Sequence, residues 1–483
     1  MTRTWIDHCG AANPDRPALI SAQGMWTFGE LNARIHTTAA RLAAWGIQPS
    51  SRAAVLMPNG TPYVLAAHAL MQLGAVIIPI NTRLSASEVR YQLETAAPTL
   101  LIDSPDTEAI STAALPKKPL SSAAFPAIRS THYDPAPLNP DADAAILFTS
   151  GTTGRPKGAR LTVGNLLFSA EASRDRLGMK EGDRWLLTLP LYHIGGLSIL
   201  YRSYLDGTTI VLYEGSFDPQ QIADMLMRYQ ITLISLVPTQ LHRMLEAGVD
   251  FPKSLRLILL GGAAASPDLL RRAFERGLPI ATTYGLTETA SQVATMLPEQ
   301  ARAKSGSVGK PLNGVRVQII SEDGRDLPAG EIGEIVVSGR NVMRGYLAHP
   351  DLDPPGTFCT GDLGYLDAEG DLWLVQRRSD LIISGGENIY PVEVENTLRA
   401  HPAIDDACVV GLPDAEWGQT PAAAIVLKRS MSATLDELDA HCKRHLARYK
   451  RPRRYLFVDH LPQTASGKVI RREVAALFSG ESS

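Results

Sequence analysis

The chain has 483 residues, with 47 Lys plus Arg against 50 Asp plus Glu and a formal net charge of −3. That is long enough for two or more domains with large apolar interiors, and the even charge excludes a nucleic-acid arm. The four cysteines, Cys9, Cys359, Cys408 and Cys442, have no CxxC or Cys/His ligand spacing, which excludes a disulfide frame or a zinc site and predicts reduced, cytoplasmic thiols.

Met1–Pro14 carries Asp7 and His8 and has no uninterrupted apolar stretch, so no secretory signal is expected. No apolar run reaches membrane-spanning length, and no membrane association is expected. Thr27 followed by Glu30 forms a capping-box pattern. Phe28, Leu31, Ile35, Ala39 and Leu42 then recur at helical spacing until Gly46. Ala53 to Met57 predicts a strand ending at Pro58-Asn59, a helix follows to Gly74, and Val76 to Ile80 is again a short apolar strand. Pro116 to Pro140, rich in Pro, Ser and Ala, is expected to be a surface connection.

The strand and helix alternation returns at Thr208 to Tyr213, Ile222 to Tyr229, Thr232 to Leu236 and Leu255 to Leu260, which predicts two α/β lobes with parallel sheets. From Val315 to Tyr346 the runs are short and alternating, punctuated by Asp323-Gly324 and Pro328-Ala329-Gly330, and predict hairpins or a small barrel-like subdomain. After Asp380 come a helix from Val392 to Ala400, strands at Ala407 to Val410 and Ala422 to Leu427, and a basic helix ending near Tyr449. This tail has the size of a separate α+β domain. The expected fold class is therefore α/β, with a large N-terminal domain and a small α+β C-terminal domain.

Apolar Ala144 to Phe148 runs into Thr149-Ser150-Gly151-Thr152-Thr153-Gly154-Arg155-Pro156-Lys157-Gly158. Glycines admit backbone N–H groups to phosphate oxygens, hydroxyls add donors, and Lys157 adds positive charge. A P-loop would place Lys directly after its last Gly with Ser or Thr behind it, whereas here Arg155-Pro156 intervene. The string resembles instead the signature of the adenylate-forming superfamily of acyl-CoA synthetases, luciferases and peptide-synthetase adenylation domains. Further motifs similar to that family's follow in order: Pro190-Leu191-Tyr192-His193, Gly261-Gly262-Ala263, Tyr284-Gly285-Leu286-Thr287-Glu288-Thr289 and Thr360-Gly361-Asp362. Arg377, Ser384-Gly385-Gly386-Glu387-Asn388-Ile389-Tyr390-Pro391 and Thr464-Ala465-Ser466-Gly467-Lys468 complete the set, so the resemblance spans the chain.

The resemblance implies an enzyme that joins a carboxylate to the α-phosphate of ATP, releases pyrophosphate, and passes the acyl group to coenzyme A. Two anions must meet, so positive charge and in-line positioning are needed. By resemblance, Thr149, Ser150, Gly151, Thr152, Thr153, Gly154 and Lys157 clasp the β- and γ-phosphates, Thr287 contacts the α-phosphate, and Glu288 holds Mg²⁺. A magnesium ion takes one or two carboxylates plus phosphate oxygens, which suits a single glutamate. Gly262, Ala263 and Ala264 follow a strand at its carboxyl end, where α/β sheets place ligands, and with Thr283, Tyr284 and Gly285 they form the expected adenine site. Tyr284 would stack on the base, while Asp362 and Arg377 resemble the pair that binds the ribose hydroxyls. Gln376 departs from the family's usual Gly beside that arginine.

Lys468 resembles the lysine that bridges carboxylate and phosphate during adenylation. Since it sits on the small domain, the domains must close for that step. The resemblance implies a large domain over 1–378 and a mobile small domain over 379–483, with the hinge at Ser379-Asp380. Ser379 departs from the family's Asp or Lys, and Asp380 is the neighbouring candidate. Gly385 and Gly386 leave space for the pantetheine arm, and Glu416-Trp417-Gly418 is a further candidate to line it, though an ordinary turn explains those residues equally.

His193 lies in the motif that gates the acyl pocket in relatives. The Asp that amino-acid-activating relatives place nearby is missing from Leu189 to Leu197, which points to a simple carboxylic acid. The strings Pro190 to Leu200, Thr287 to Gln292, with Ser291 as a substrate residue, and Gly306 to Leu312 resemble most the o-succinylbenzoate:CoA ligase branch. Gly195 and Gly196 would open room for a ring, and Arg202 would meet a second carboxylate; a helix-surface arginine explains Arg202 as well. A fatty- or aryl-acid:CoA ligase, or a non-catalytic nucleotide sensor, stays open at this point, although Glu288, Arg377 and Lys468 argue against the sensor. The sequence does not fix oligomeric state, a homodimer included.

Overall fold

The structure, a computed structural model, describes residues 4–6, 14–104, 117–119, 133–150, 156–348, 355–376, 381–462 and 469–479. It divides into two compact units, one of residues 1–82, 93–148 and 158–376, the other of 83–92, 149–157 and 377–483. Gly151 to Gly154, Arg377, Ser379, Asp380 and Lys468 lie outside the described residues.

In the first unit the predicted capping box is formed: Glu30 N donates to Thr27 Oγ1 at 3.2 Å and Thr27 N to Glu30 Oε2 at 2.9 Å. The helix Phe28–Ala44 that follows buries Phe28, Leu31, Ile35, Ala39 and Leu42. Its neighbours Arg52–Leu56, Val76–Pro79 and Leu100–Asp103 are parallel strands, with Ala54 paired to both Ile78 and Leu101. The expected connection from Pro116 to Pro140 begins with a short strand, Lys117–Pro119, added parallel to Leu100–Asp103.

The second lobe of this unit is a parallel array of Ile280–Leu286, Leu257–Leu260, Leu233–Leu236, Arg184–Leu187, Thr209–Leu212 and Pro17–Ser21. Three of these runs are buried at every residue, as in a parallel sheet covered on both faces. Beyond Ile280–Leu286 the direction reverses. Ser291–Thr295 pairs antiparallel with it, and the hydrogen-bonded path continues through Ser307–Pro311, Leu372–Gln376, Thr357–Leu366, Gly333–Ser338 and Arg316–Ile320. Arg316–Ile320 and Gly333–Ser338 are the hairpin expected between Val315 and Tyr346, while the other antiparallel strands were not read from the sequence. The chain turns at Thr287–Thr289, and within the ladder beside it an added Cβ on Gly285 would stand 1.8 Å from the Ser291 carbonyl oxygen, so no larger residue fits.

The second unit carries a long hairpin, Ile404–Asp414 with Gly418–Leu427, joined by Arg454–Phe457 in parallel and by Ile382–Ser384 in antiparallel pairing. Helices Pro391–Arg399 and Leu435–His445 bury Val394, Leu398, Leu438 and Cys442 against it. The basic helix expected to end near Tyr449 ends at His445, and a 3₁₀ turn Arg448–Lys450 follows it. Lys443, Arg444 and His445 fill the helix's last turn and Asp436 and Glu437 its first, which complements the helix dipole. Lys450 is buried, and its Nζ donates to Glu88 Oε1 at 2.6 Å and Glu393 Oε1 at 2.7 Å.

Candidate active site

In the first unit, strand Leu257–Leu260 delivers Gly261 to Ala264 as a partly exposed loop at its carboxyl end. An added Cβ on Gly261 would lie 2.6 Å from the Thr283 methyl, and Gly262 takes φ +80°, so both positions demand glycine. Thr283 is fixed through its hydroxyl, which donates to the Ala294 carbonyl at 2.9 Å. Tyr284 and Asp362, predicted separately for base and ribose, meet directly: the buried phenol donates to Asp362 Oδ2 at 2.7 Å. Thr360 sets the carboxylate's backbone, accepting from Asp362 N at 3.1 Å while donating to the Ile335 carbonyl at 2.7 Å.

Thr287–Thr289 forms a single 3₁₀ turn with Glu288 buried at its centre. Directly after it, Ala290 and Ser291 hold φ +51° and +107°, two consecutive non-glycine residues in left-handed backbone. Such strain persists only where the surroundings over-determine it. Here Leu286 N donates to Thr289 Oγ1, Ser169 Oγ donates to the Ala290 carbonyl at 2.7 Å, and Met343 N donates to the Glu288 carbonyl at 2.8 Å. The Glu288 side chain accepts from Tyr346 Oη at 2.8 Å. One buried carboxylate held by a phenol fits a magnesium ion whose remaining ligands are phosphate oxygens and water.

His193 occupies the N-cap position of helix Ile194–Asp206 without a side-chain cap bond, its ring against Tyr192 at 4.8 Å between centroids. Asn59, read from sequence only as the end of a strand, holds this motif in place. Its Nδ2 donates to the Leu189 carbonyl at 2.9 Å, and its Oδ1 accepts from Leu191 N at 2.8 Å. The two glycines differ. An added Cβ on Gly196 would meet the Pro190 carbonyl oxygen at 2.3 Å, so backbone packing requires it, whereas on Gly195 the nearest contact is Leu189 Cδ1 at 3.4 Å and space remains.

Ser198, Arg202 and Asp206 follow at four-residue steps on one face of this helix. Ser198 Oγ lies 3.5 Å from Ser291 Oγ, which joins that face to the turn after Glu288. Arg202 is not a helix-surface arginine. It is 2% exposed, and its Nε and Nη2 have no hydrogen-bond partner. Burial pulls its guanidinium down to about 10, partly opposed by Asp206, so it is charged at neutral pH. Asp206, itself pushed up to about 6 by burial, has Arg174 at 3.6 Å.

Thr149 and Ser150 close strand Asp143–Ser150, and Lys157 stands near the start of Pro156–Thr162. In the second unit, Ile382–Ser384 and Glu387–Ile389 form a tight hairpin whose loop residues Gly385 and Gly386 take φ +60° and +84°. Trp417 packs over this loop, so an added Cβ on Gly385 would lie 2.6 Å from its ring. The space at Gly385 is thus filled by Trp417, which ties the two segments the sequence connected with pantetheine.

Residues 6–347 match the AMP-binding enzyme family and residues 393–468 match the AMP-binding enzyme C-terminal domain, so the chain belongs to the AMP-binding enzymes. It is 42% identical to the 2-succinylbenzoate–CoA ligase of Bacillus licheniformis, over 97% of this chain and 98% of that one. It is 41% identical to the ligase of the same name from Bacillus subtilis, over 99% and 98%. The fold is similar to that of the Bacillus subtilis o-succinylbenzoate CoA synthetase double mutant bound with a product analogue, at TM-score 0.91, 40% identity and 97% coverage of both chains.

Proposed function

We propose that this AMP-forming acid–thiol ligase acts on o-succinylbenzoate, activating it with ATP as the acyl-adenylate and transferring the acyl group to coenzyme A. The observation that supports this acid is Arg202. A buried, charged guanidinium with two unspent donors, one helical turn beyond the Ser198 and Ser291 hydroxyls, suits a second carboxylate that a fatty acid lacks. Gly195 leaves room beside it for a ring.

In this reading Asp362 and Arg377 take the ribose, the Gly262 to Ala264 loop takes adenine, and Thr287 takes the α-phosphate. Tyr284, fully buried, is a core tyrosine that supports Asp362 rather than a stacking face. Thr149 to Gly154 and Lys157 hold the leaving phosphates, while Lys468 bridges carboxylate and phosphate in the first half-reaction. Glu288 would hold Mg²⁺, whose charge offsets that of the phosphates. His193 orients the acid, and a pivot at Ser379-Asp380 separates the half-reactions. The Gly385-Gly386 hairpin with Trp417 flanks coenzyme A. No helix of the described residues is long and apolar enough to cross a membrane, and the free thiols of Cys408 and Cys442 fit the reducing cytoplasm.

Pyrophosphate exchange into ATP, measured across o-succinylbenzoate, benzoates and fatty acids, tests the assignment because exchange requires adenylation. The highest kcat/KM is expected for o-succinylbenzoate. A medium-chain fatty acid that exceeded it would overturn the acid and leave the ligase.

A further inference from the structure

Residues 340–347 grip the Glu288 turn by main chain and side chain together. Met343 N donates to the Glu288 carbonyl at 2.8 Å, Tyr346 Oη donates to Glu288 Oε1 at 2.8 Å, and Asn341 Nδ2 reaches the Thr289 carbonyl at 3.3 Å. The segment is itself anchored. Asn165 Nδ2 donates to the carbonyls of Arg340 and Val342, each at 2.8 Å. Further on, Gly345–Tyr346 pairs antiparallel with Arg160 and Ala159, Arg344 N donates to the Arg160 carbonyl, and Leu347 N donates to the Gly158 carbonyl, both at 2.9 Å. An added Cβ on Gly158 would lie 2.6 Å from Leu347 Cδ1, so the last glycine of the phosphate-loop string is where this strap lies down. Glu288 is thereby tied to the strand that follows that string.

We propose that Tyr346 is a positioning residue for adenylation, its phenol fixing the plane of the Glu288 carboxylate for the divalent cation that arrives with ATP. The inference rests on the reading of Glu288 as the cation's ligand. Magnesium demands near-ideal octahedral geometry at short distances, so a glutamate free to rotate about its side-chain bonds loses affinity for it. A hydroxyl that donates to a carboxylate makes a charge-assisted bond, which holds one rotamer without adding a second anion to a site that must also admit ATP.

Tyr346→Phe removes this one bond and keeps the ring. Calorimetric titration of ATP at rising magnesium should show magnesium-dependent ATP binding weakened about tenfold, the loss of one hydrogen bond to a charged group, with magnesium-free ATP binding unchanged. The magnesium concentration for half-maximal exchange should rise by a similar factor while KM for the acid stays put. In a Glu288→Gln background the same change should add nothing. Arg344→Ala alters the exposed side chain of the same strap and should leave the magnesium constant within about twofold. A shift as large as that of Tyr346→Phe would assign the effect to strap packing and overturn the proposal. If Glu288→Gln removes the magnesium response and Tyr346→Phe leaves it intact, the positioning role fails while the Glu288 reading stands. If Glu288→Gln itself changes nothing, the reading fails and the proposal falls with it.

Discussion

Replacing Arg202 by Met keeps the length of the buried side chain and deletes its charge and donors. In the unliganded protein those donors are costly, since a buried group left without a partner forfeits ~1–3 kcal/mol. Nε and Nη2 are both in that position at 2% exposure. A substrate carboxylate that fills them recovers the cost and adds charge-assisted bonds in a site shielded from water. Truncating one partner of such a buried pair costs ~2–5 kcal/mol, so kcat/KM for o-succinylbenzoate should fall by about thirtyfold to several thousandfold, carried mainly by KM. An analogue that keeps only the activated carboxylate should be equally poor on both enzymes, changing by less than about threefold on substitution. Unliganded Arg202→Met should melt no lower than the parent, because an unpaired buried charge is removed and Asp206 retains Arg174 at 3.6 Å. The assay is pyrophosphate exchange with both acids, alongside thermal unfolding. Equal losses for the two acids, or a lower melting temperature with unchanged selectivity, would show a structural arginine and refute the reasoning.

Lys468→Ala should cripple adenylate formation from acid and ATP yet turn over presynthesised acyl-adenylate with coenzyme A near the parent rate, since no phosphate charge then remains to be neutralised by the lysine. Equal loss in both half-reactions would leave one fixed active site. Ser379→Pro, which restricts the backbone at the expected pivot, should do the converse by sparing exchange and slowing thioester formation. Lys450→Met leaves Glu88 and Glu393 buried without their shared cation, at a cost of ~3–5 kcal/mol. Thermal unfolding should show a clear drop, largely recovered when Glu393→Gln is added, and a drop below a degree would mean the lysine is not holding those carboxylates.

The capped helix Phe28–Ala44 and the buried strands of the second lobe were legible in the chain because each depends on neighbours a few residues away. Element ends moved by up to four residues, as at Ile404–Asp414 and Gly418–Leu427, and strands Pro17–Ser21 and Gly24–Thr27 went unread, being too short to show a period. The motif order likewise singled out candidate site residues one by one. What it could not state was how they touch. Tyr284 meets Asp362 across 78 residues, Glu288 meets Tyr346 across 58, and Asn59 holds Leu191 across 132, contacts that no local pattern encodes. Gly196 reads as an opening in the acyl pocket until the Pro190 carbonyl is seen against it, and Arg202 reads as a surface charge as readily as a ligand. Local backbone preference determined the elements and the chemistry available to them. Packing alone decided which side chains lost water, and a buried guanidinium or carboxylate must find its partner there or in the substrate.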